Sequence, residues 1–207
     1  MLVVSVPTRN GRGRSGRAGR KESAAAGRLL ASIDRWDART ARHCRRVAEL
    51  AARLARTMDL SADRVRLVRA AALLHDVGKI TIPRRVLGKP GALSRPERRL
   101  LNEHAPRGQA ILAARAMPRE LASIVRHHHQ RYDGTGGPLR GTAIPLFSRL
   151  LTIVDAYEAM TGDRTYRPPL SHRSACLELK RHAGRQFDPA LVADFLRTFN
   201  AKDAGSA

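Results

Sequence analysis

Hydrophobic and polar positions recur along this chain with helical periodicity, and no stretch shows the alternation of a β-strand. A first helix is predicted from about residue 37 to 57, because Val47, Leu50 and Leu54 lie three or four positions apart. His43 lies four residues before Val47, on the same apolar face. The chain therefore places an imidazole on a side of this helix that is expected to be buried.

The next two predicted helices also lead to titratable residues. One starts near residue 61 and carries apolar positions toward His75, and Gly78 and Pro83 end it. Residues 94 to 97, SRPE, have capping-box spacing and open a third helix that reaches His104. The sequence thus predicts that His75 and His104 lie on helix faces that are expected to be buried.

The second half of the chain continues this pattern. A fourth helix begins at Pro118, and His128 and His129 follow on its apolar face. After a glycine-rich loop, a long fifth helix from about Pro145 carries Asp155. Two further helices have recognisable N-terminal caps, Ser171 and Asp188. The expected fold is all-α, a single helical bundle.

Composition indicates how the chain divides into an arm, a folded domain and a tail. The chain has 207 residues, a formal net charge of +21, and 43% hydrophobic but only 4% aromatic residues. We expect a flexible, disordered Arg/Gly-rich basic arm at residues 1–28, a domain at 29–200 and a tail at 201–207. The arm is either a solvated terminus or a weak contact for nucleic acid or another polyanion.

The compartment follows from what the sequence lacks. No run of about 18 apolar residues exists, and the opening MLVVSV is too short for a signal-peptide core. Cys44 and Cys176 have no metal-type spacing and are typical of a reducing compartment. We therefore expect a cytoplasmic protein without membrane insertion.

Titratable residues on apolar helix faces require compensation, and divalent metal ions would compensate them together. Each residue alone could be a hydrogen-bonded core residue, but a helical core with few other polar groups would have to absorb all of them. Imidazole and carboxylate ligands without thiolate suit iron or manganese foremost, with zinc, nickel or cobalt as alternatives. The candidate ligands are His43, His75, Asp76, His104, His128, His129 and Asp155.

Two such metals would activate a shared water to hydroxide and hold a phosphoryl group for in-line attack. Lys79, one turn after Asp76, is placed to neutralise developing charge, although a lysine near a helix C-terminus is also common on surfaces. Arg164 and Arg167 suit bidentate phosphate contacts, or are two more surface arginines. The pattern therefore indicates phosphoester hydrolysis.

The ordered blocks AALLHDVGKITIPRRVLGKPGALS, EHAPRGQAIL, HHHQRYDGTGGP and IPLFSRLLTIVDAYEAMTGDRTYRPPL make the chain resemble an HD-GYP domain of the HD phosphohydrolases. The resemblance runs from about residue 37 to 199. It implies a metal-dependent phosphodiesterase that hydrolyses cyclic di-GMP, a bacterial signalling molecule, to linear pGpG or GMP. It also implies that the seven residues above are the metal ligands, that Asp76 and Lys79 are catalytic, and that Arg164 and Arg167 bind substrate.

Several positions depart from the family pattern. Gly137 replaces the GYP tyrosine, Gln130 replaces the usual glutamate, and the following loop is shorter. Arg39 stands where members with three metals carry a glutamate, which predicts two metals here. The altered loop leaves a signalling-protein contact open, and regulation is expected from a separate chain or a homodimer.

Two alternatives to the cyclic di-GMP hypothesis remain. One is hydrolysis of another nucleotide or of RNA, which the basic arm would favour. The other is a non-catalytic module that binds a nucleotide or a signalling partner, which the altered GYP loop permits. The intact ligand set argues against this last interpretation.

Overall fold

A computed structural model describes residues 15–162 and 168–200 of the protein. In those two ranges the chain forms α-helices and no β-strand, which confirms the all-α expectation. Two short 3-10 turns, Val77–Thr81 and Gly141–Ala143, interrupt the helical order. The helices are α1 (Ser15–Trp36), α2 (Ala38–Thr57), α3 (Ala62–Leu74), α4 (Arg84–Leu87), α5 (Arg95–Asn102), α6 (His104–Ala114), α7 (Arg119–His127), α8 (Leu146–Thr161), α9 (His172–Arg181) and α10 (Pro189–Asn200).

Side-chain caps begin several helices, and those at Ser94 and Ser171 are expected from sequence. Asp37 accepts hydrogen bonds from the backbone N–H groups of Arg39 and Thr40 and so begins α2. Ser94 and Glu97 form a complete capping box at α5. At α9 the Ser171 side chain accepts a hydrogen bond from the backbone N–H of Ser174. Local side-chain chemistry therefore determines where these helices begin.

Two predicted helix ends differ from the structure. α3 ends at Leu74, and the chain then tightens into the 3-10 turn Val77–Thr81, so His75 and Asp76 lie at the junction. The third predicted helix is divided in two: α5 ends at Asn102 and α6 begins at His104. In both cases a titratable residue lies where the backbone changes direction.

The first helix begins within the segment 1–28 that the sequence predicts as an arm. Residues Ser15–Trp36 form one helix, and Ala26, Leu29 and Ile33 on it are buried in the core. The spacing of these three residues continues one helix face, and Arg and Ala both favour helix. Residues 1–14 and the predicted tail 201–207 lie outside the described residues.

The core is centred on α2 and α3, with α1, α7, α8 and α10 packed around them. α2 presents small buried side chains, among them Ala48, Ala51 and Ala55. Small side chains at a helix contact allow the axes to approach closely. This packing brings the ends of α3, α6 and α7 beside the middle of α2 and α8. Among the described residues, no helix has the length and apolar character needed to cross a membrane.

Candidate metal centre

The structure brings all seven predicted ligand residues to one place. His43 projects from α2 and Asp155 from α8, while the others lie at the ends of α3, α6 and α7. His75, Asp76, His104 and His128 are buried, and His129 is exposed on the open side. Residues from five helices thus converge on one polar cluster inside an apolar bundle.

One group of three donors consists of His43, His75 and Asp76, whose ligand atoms all lie within 4.8 Å of one another. The Nε2 atoms of His43 and His75 are 3.3 Å apart. Asp155 Oδ1 lies 3.0 Å from Nε2 of His43 and 3.7 Å from Nε2 of His75. Two imidazoles and two carboxylates therefore face one small volume.

The second group is His104, His128 and His129, again with ligand atoms within 4.8 Å. Nε2 of His104 lies 3.4 Å from Nε2 of His128 and 3.0 Å from Nε2 of His129. Asp76 connects the two groups. Its Oδ1 is 3.4 Å from Nε2 of His104, and its Oδ2 is 3.5 Å from Nε2 of His75. One carboxylate thus turns an oxygen toward each group, as a bridging ligand would.

Backbone carbonyls determine which ring nitrogens are available. Nδ1 of His75 donates to Ala72 O at 2.8 Å, and Nδ1 of His104 donates to Leu101 O at 2.7 Å. Nδ1 of His128 donates to a carbonyl of its own helix at 2.7 Å in the same way. A carbonyl only accepts, so each Nδ1 carries the proton and each neutral Nε2 turns a lone pair inward. Hydrogen bonds from the ring nitrogen that faces away from the metal orient metal-ligating histidines in this way.

The Nε2 lone pairs of His104 and His128 point toward each other, an arrangement that a bound cation would stabilise. Burial lowers the pKa of His104 to about 4 and holds the pKa of His128 well below its usual value, so both rings are neutral at physiological pH. Their Nε2 atoms nevertheless face each other at 3.4 Å with no hydrogen available between them. A divalent ion bound by both lone pairs would remove this repulsion. The donor set of imidazole and carboxylate, without thiolate, fits the transition metals expected from sequence.

Glu158 is a site residue that the sequence interpretation missed. It is buried on α8, one turn after Asp155, and its carboxylate accepts a hydrogen bond from Nδ1 of His43. Arg46 binds the other carboxylate oxygen. Glu158 therefore does for His43 what backbone carbonyls do for the other histidines, and it adds a negative charge. Its position three residues after Asp155, on the same helix face, was the signal available in the sequence.

His43 differs from His104 and His128 in its protonation state. Burial acts to lower its pKa, but hydrogen bonds to Asp155 and Glu158 raise the pKa of His43 to about 9. Without metal this ring therefore carries a proton. A metal ion binding at Nε2 would have to displace it.

Lys79 lies against the bridging carboxylate. Its Nζ donates to Asp76 Oδ2 at 2.6 Å across one turn. Burial opposes ionisation of both groups, but each charge favours the other: Asp76 raises the pKa of Lys79, and Lys79 foremost holds the pKa of Asp76 well below its usual range. The pair is therefore ionised at neutral pH.

Glycines allow the elements of the site to approach. A Cβ on Gly78 would lie 1.9 Å from the carbonyl oxygen of His104 and 2.7 Å from the backbone nitrogen of Gly108. A Cβ on Gly108 would in turn lie 3.0 Å from Val125. The backbone of α6 thus packs directly on the 3-10 turn. This contact is what brings His104 beside Asp76.

The two departures in the glycine-rich loop are linked in space. Gln130 is buried, and its Nε2 donates to Leu139 O at 3.0 Å. A Cβ on Gly137 would lie 1.9 Å from that same Nε2. The Gln130 amide thus fills the space that a side chain at position 137 would enter. A signalling-partner contact at this loop stays a prediction.

An open cleft of about 520 Å³ leads to the first group of donors. His43, Asp76 and Lys79 line it, together with three arginines: Arg39, Arg46 and Arg84. Arg39, predicted to exclude a third metal, is exposed on this cleft. Arg164 and Arg167, the predicted phosphate-binding residues, lie outside the described residues.

The fold and the ligand set define a class of helical domains that carry an adjacent His–Asp pair at a metal-type centre. The model of the family described as HD domain matches residues 29–191, and the chain belongs to this family. This places the chain among HD domains, as its resemblance to HD-GYP proteins implied.

Relatives with named activities are similar over most of the chain. It is 36% identical over 182 residues to the cyclic di-GMP phosphodiesterase response regulator RpfG of Xanthomonas campestris, covering 86% of this chain and 48% of that protein. It is 33% identical over 168 residues to the 3'3'-cGAMP-specific phosphodiesterase 2 of Vibrio cholerae, covering 79% of this chain and 32% of that protein. The chain thus spans half or less of the length of these curated relatives.

A solved structure supports the fold. An HDG"Y"P protein from Bdellovibrio bacteriovorus superposes with a TM-score of 0.64 at 17% identity, covering 88% of this chain and 63% of that one. Identity this low shows the shared helical architecture alone.

Proposed function

We propose that the protein is a metal-dependent phosphodiesterase of cyclic dinucleotides, with cyclic di-GMP as the leading substrate. The observation that carries the proposal is the pair of three-donor groups joined by the two oxygens of Asp76. The activities named for the relatives, on cyclic di-GMP and on 3'3'-cGAMP, support the substrate class.

The proposed ligands of two divalent transition-metal ions, iron or manganese foremost, are His43, His75, Asp76, His104, His128, His129 and Asp155. When bound, such ions would lower the pKa of a water and polarise the scissile phosphodiester. Asp76 would hold both groups at a fixed separation, because each of its oxygens faces one of them. The hydrogen-bonded Nδ1 atoms would keep the rings in the ligating tautomer.

Lys79 would stabilise the negative charge that develops on the substrate and would not bind the metal ions. Lys79 lines the cleft, and its ammonium donates a hydrogen bond to Asp76. Negative charge builds on the phosphoryl oxygens and the leaving oxygen during in-line attack. A fixed ammonium beside them lowers the barrier without needing to reorganise. Arg164 and Arg167 remain the proposed phosphate-binding residues.

Product analysis with several cyclic dinucleotides tests the proposal. Protein purified without oxygen and loaded with iron or manganese is incubated separately with cyclic di-GMP, 3'3'-cGAMP and cyclic di-AMP, and products are resolved by chromatography. We expect hydrolysis of cyclic di-GMP to linear pGpG or GMP, abolished in the metal-free protein. Turnover of 3'3'-cGAMP alone would correct the substrate. Tight binding of these ligands without hydrolysis would favour the non-catalytic module.

A further inference from the structure

The cleft has an apolar wall whose residues are not among the candidate metal ligands. Trp36 and Leu87 line the same cleft as His43, Asp76 and Lys79. Trp36 is half-buried, so part of the indole faces the cleft. Aromatic residues make up only 4% of the chain, and Trp36 is one that lines the cleft shared with the candidate metal ligands.

The backbone holds Trp36 in a defined place. It is the last residue of α1, and the next residue, Asp37, donates its N–H to Ile33 O at 2.7 Å. Ile33 is buried in the core. Arg84 also donates to the Arg35 carbonyl at 3.4 Å, which connects the end of α1 to another residue that lines the cleft. These contacts fix the backbone that carries Trp36, so less backbone freedom is lost when a ligand packs against it.

The polar lining of the cleft complements an anion more than a cation. Its carboxylates already have partners: Asp37 caps α2, Asp76 binds Lys79, and Glu158 binds His43 and Arg46. Arg39 and Arg84 line the cleft near the aromatic wall. An aromatic face next to guanidinium groups suits a ligand that joins a planar base to a phosphate, because bases stack on aromatic rings in a sequence-tolerant way.

We propose that Trp36 stacks on one nucleobase of the cyclic dinucleotide and is a substrate-binding residue of the cleft. This inference rests on the proposed function, because the cleft receives a base only if the substrate is a nucleotide. The candidate metal ligands His43 and Asp76 line the same cleft, so a base stacked on Trp36 leaves the scissile phosphodiester free to reach them. Trp36 therefore contributes to substrate affinity, whichever base it contacts.

Fluorescence provides a direct test, since Trp36 is the single tryptophan of the 207 residues. Metal-loaded protein is titrated with a phosphorothioate analogue of cyclic di-GMP, which slows hydrolysis. We expect saturable quenching whose midpoint equals the Kd from calorimetry. Unchanged fluorescence at saturating analogue would overturn the proposal, and this measurement needs no variant to fold.

Substitutions then separate stacking from packing. Trp36→Leu should weaken analogue binding about tenfold, equivalent to about 1.4 kcal/mol, whereas Trp36→Phe should retain most of the affinity because it keeps an aromatic face. Inorganic phosphate, which lacks a base, should inhibit the wild type and both variants equally. A tenfold loss for phosphate as well, or equal analogue affinity in Trp36→Leu and the wild type, would contradict stacking.

The outcomes also distinguish this inference from the proposed function. If the wild type hydrolyses cyclic dinucleotides and Trp36→Leu has an unchanged KM, stacking alone is wrong. If the wild type neither binds nor hydrolyses any of them, the proposed function is wrong, and the stacking proposal falls with it.

Discussion

Glu158→Gln is the substitution that best tests how the site is organised. The change keeps the size of the side chain and an oxygen that can accept from Nδ1 of His43. It removes the negative charge and turns an amide N–H toward Arg46, where the carboxylate now accepts. Glu158 contacts His43 but no other predicted ligand in the polar contacts described above, so its loss should affect the metal centre through this one imidazole.

The expected loss of metal affinity follows from the hydrogen bond between Glu158 and Nδ1 of His43. Removing a carboxylate that orients a metal-bound histidine typically lowers metal affinity about 10- to 100-fold. We expect a loss in that range for the ion bound by His43, His75 and Asp76. The group formed by His104, His128 and His129 should retain its ion.

Protonation adds a second readout. The pKa of His43 is raised to about 9, above the ordinary value of 6.5. A raised pKa stabilises the metal-free fold below about pH 6.5, and this stabilisation is lost as pH rises through about 9. Metal binding at pH 7.5 should therefore expel about one proton from His43. Glu158→Gln should lower this pKa and reduce the proton release.

The assay is calorimetric titration of metal-free protein, with a competing chelator, in buffers of different ionisation enthalpy. Glu49→Gln is the matched control, because Glu49 is exposed on α2 and forms a surface ion pair with Arg69. That variant should bind metal as the wild type does. Equal affinity and equal proton release in Glu158→Gln and the wild type would refute the reasoning.

Three further predictions concern the residues around Asp76. Asp76→Ala should lose bound metal and hydrolysis together, measured by elemental analysis and product assay, since it removes the carboxylate shared by both groups; full metal content and activity would contradict this. Lys79→Ala should keep its metal while kcat falls about 10²- to 10³-fold, and loss of metal instead would make the lysine structural. Gly78→Ala should lower the free energy of unfolding by about 1–3 kcal/mol or more and displace His104, because its Cβ would overlap a backbone carbonyl. Gly27→Ala, in a helix with open space around it, is the control and should be neutral or stabilising in the same melts.

Much of the architecture could be predicted because local signals determine it. Asp37, Ser94, Ser171 and Asp188 each carry a side-chain oxygen that satisfies N–H groups of the helix they precede. The candidate ligands could be named because titratable residues on apolar faces need a common partner. The structure places them together, while their roles in metal binding stay a prediction.

Other features depend on contacts between distant segments. Glu158 looks like an ordinary surface acid on α8, and only the packing of α8 against α2 turns it toward His43. The need for Gly78 arises from the backbone of α6, some 26 residues away. The buried face formed by Ala26, Leu29 and Ile33 was not recognised from sequence, because arginines and glycines surround it.

Activity measured as a function of bound metal tests the central claim most directly. Metal-free protein is loaded stepwise with manganese without oxygen, and bound metal and cyclic di-GMP hydrolysis are measured on the same samples. Two groups of donors joined by Asp76 predict that hydrolysis stays low at one ion per chain and reaches its maximum at two. Full hydrolysis at one ion per chain, a further rise to three, or hydrolysis independent of metal would contradict the account.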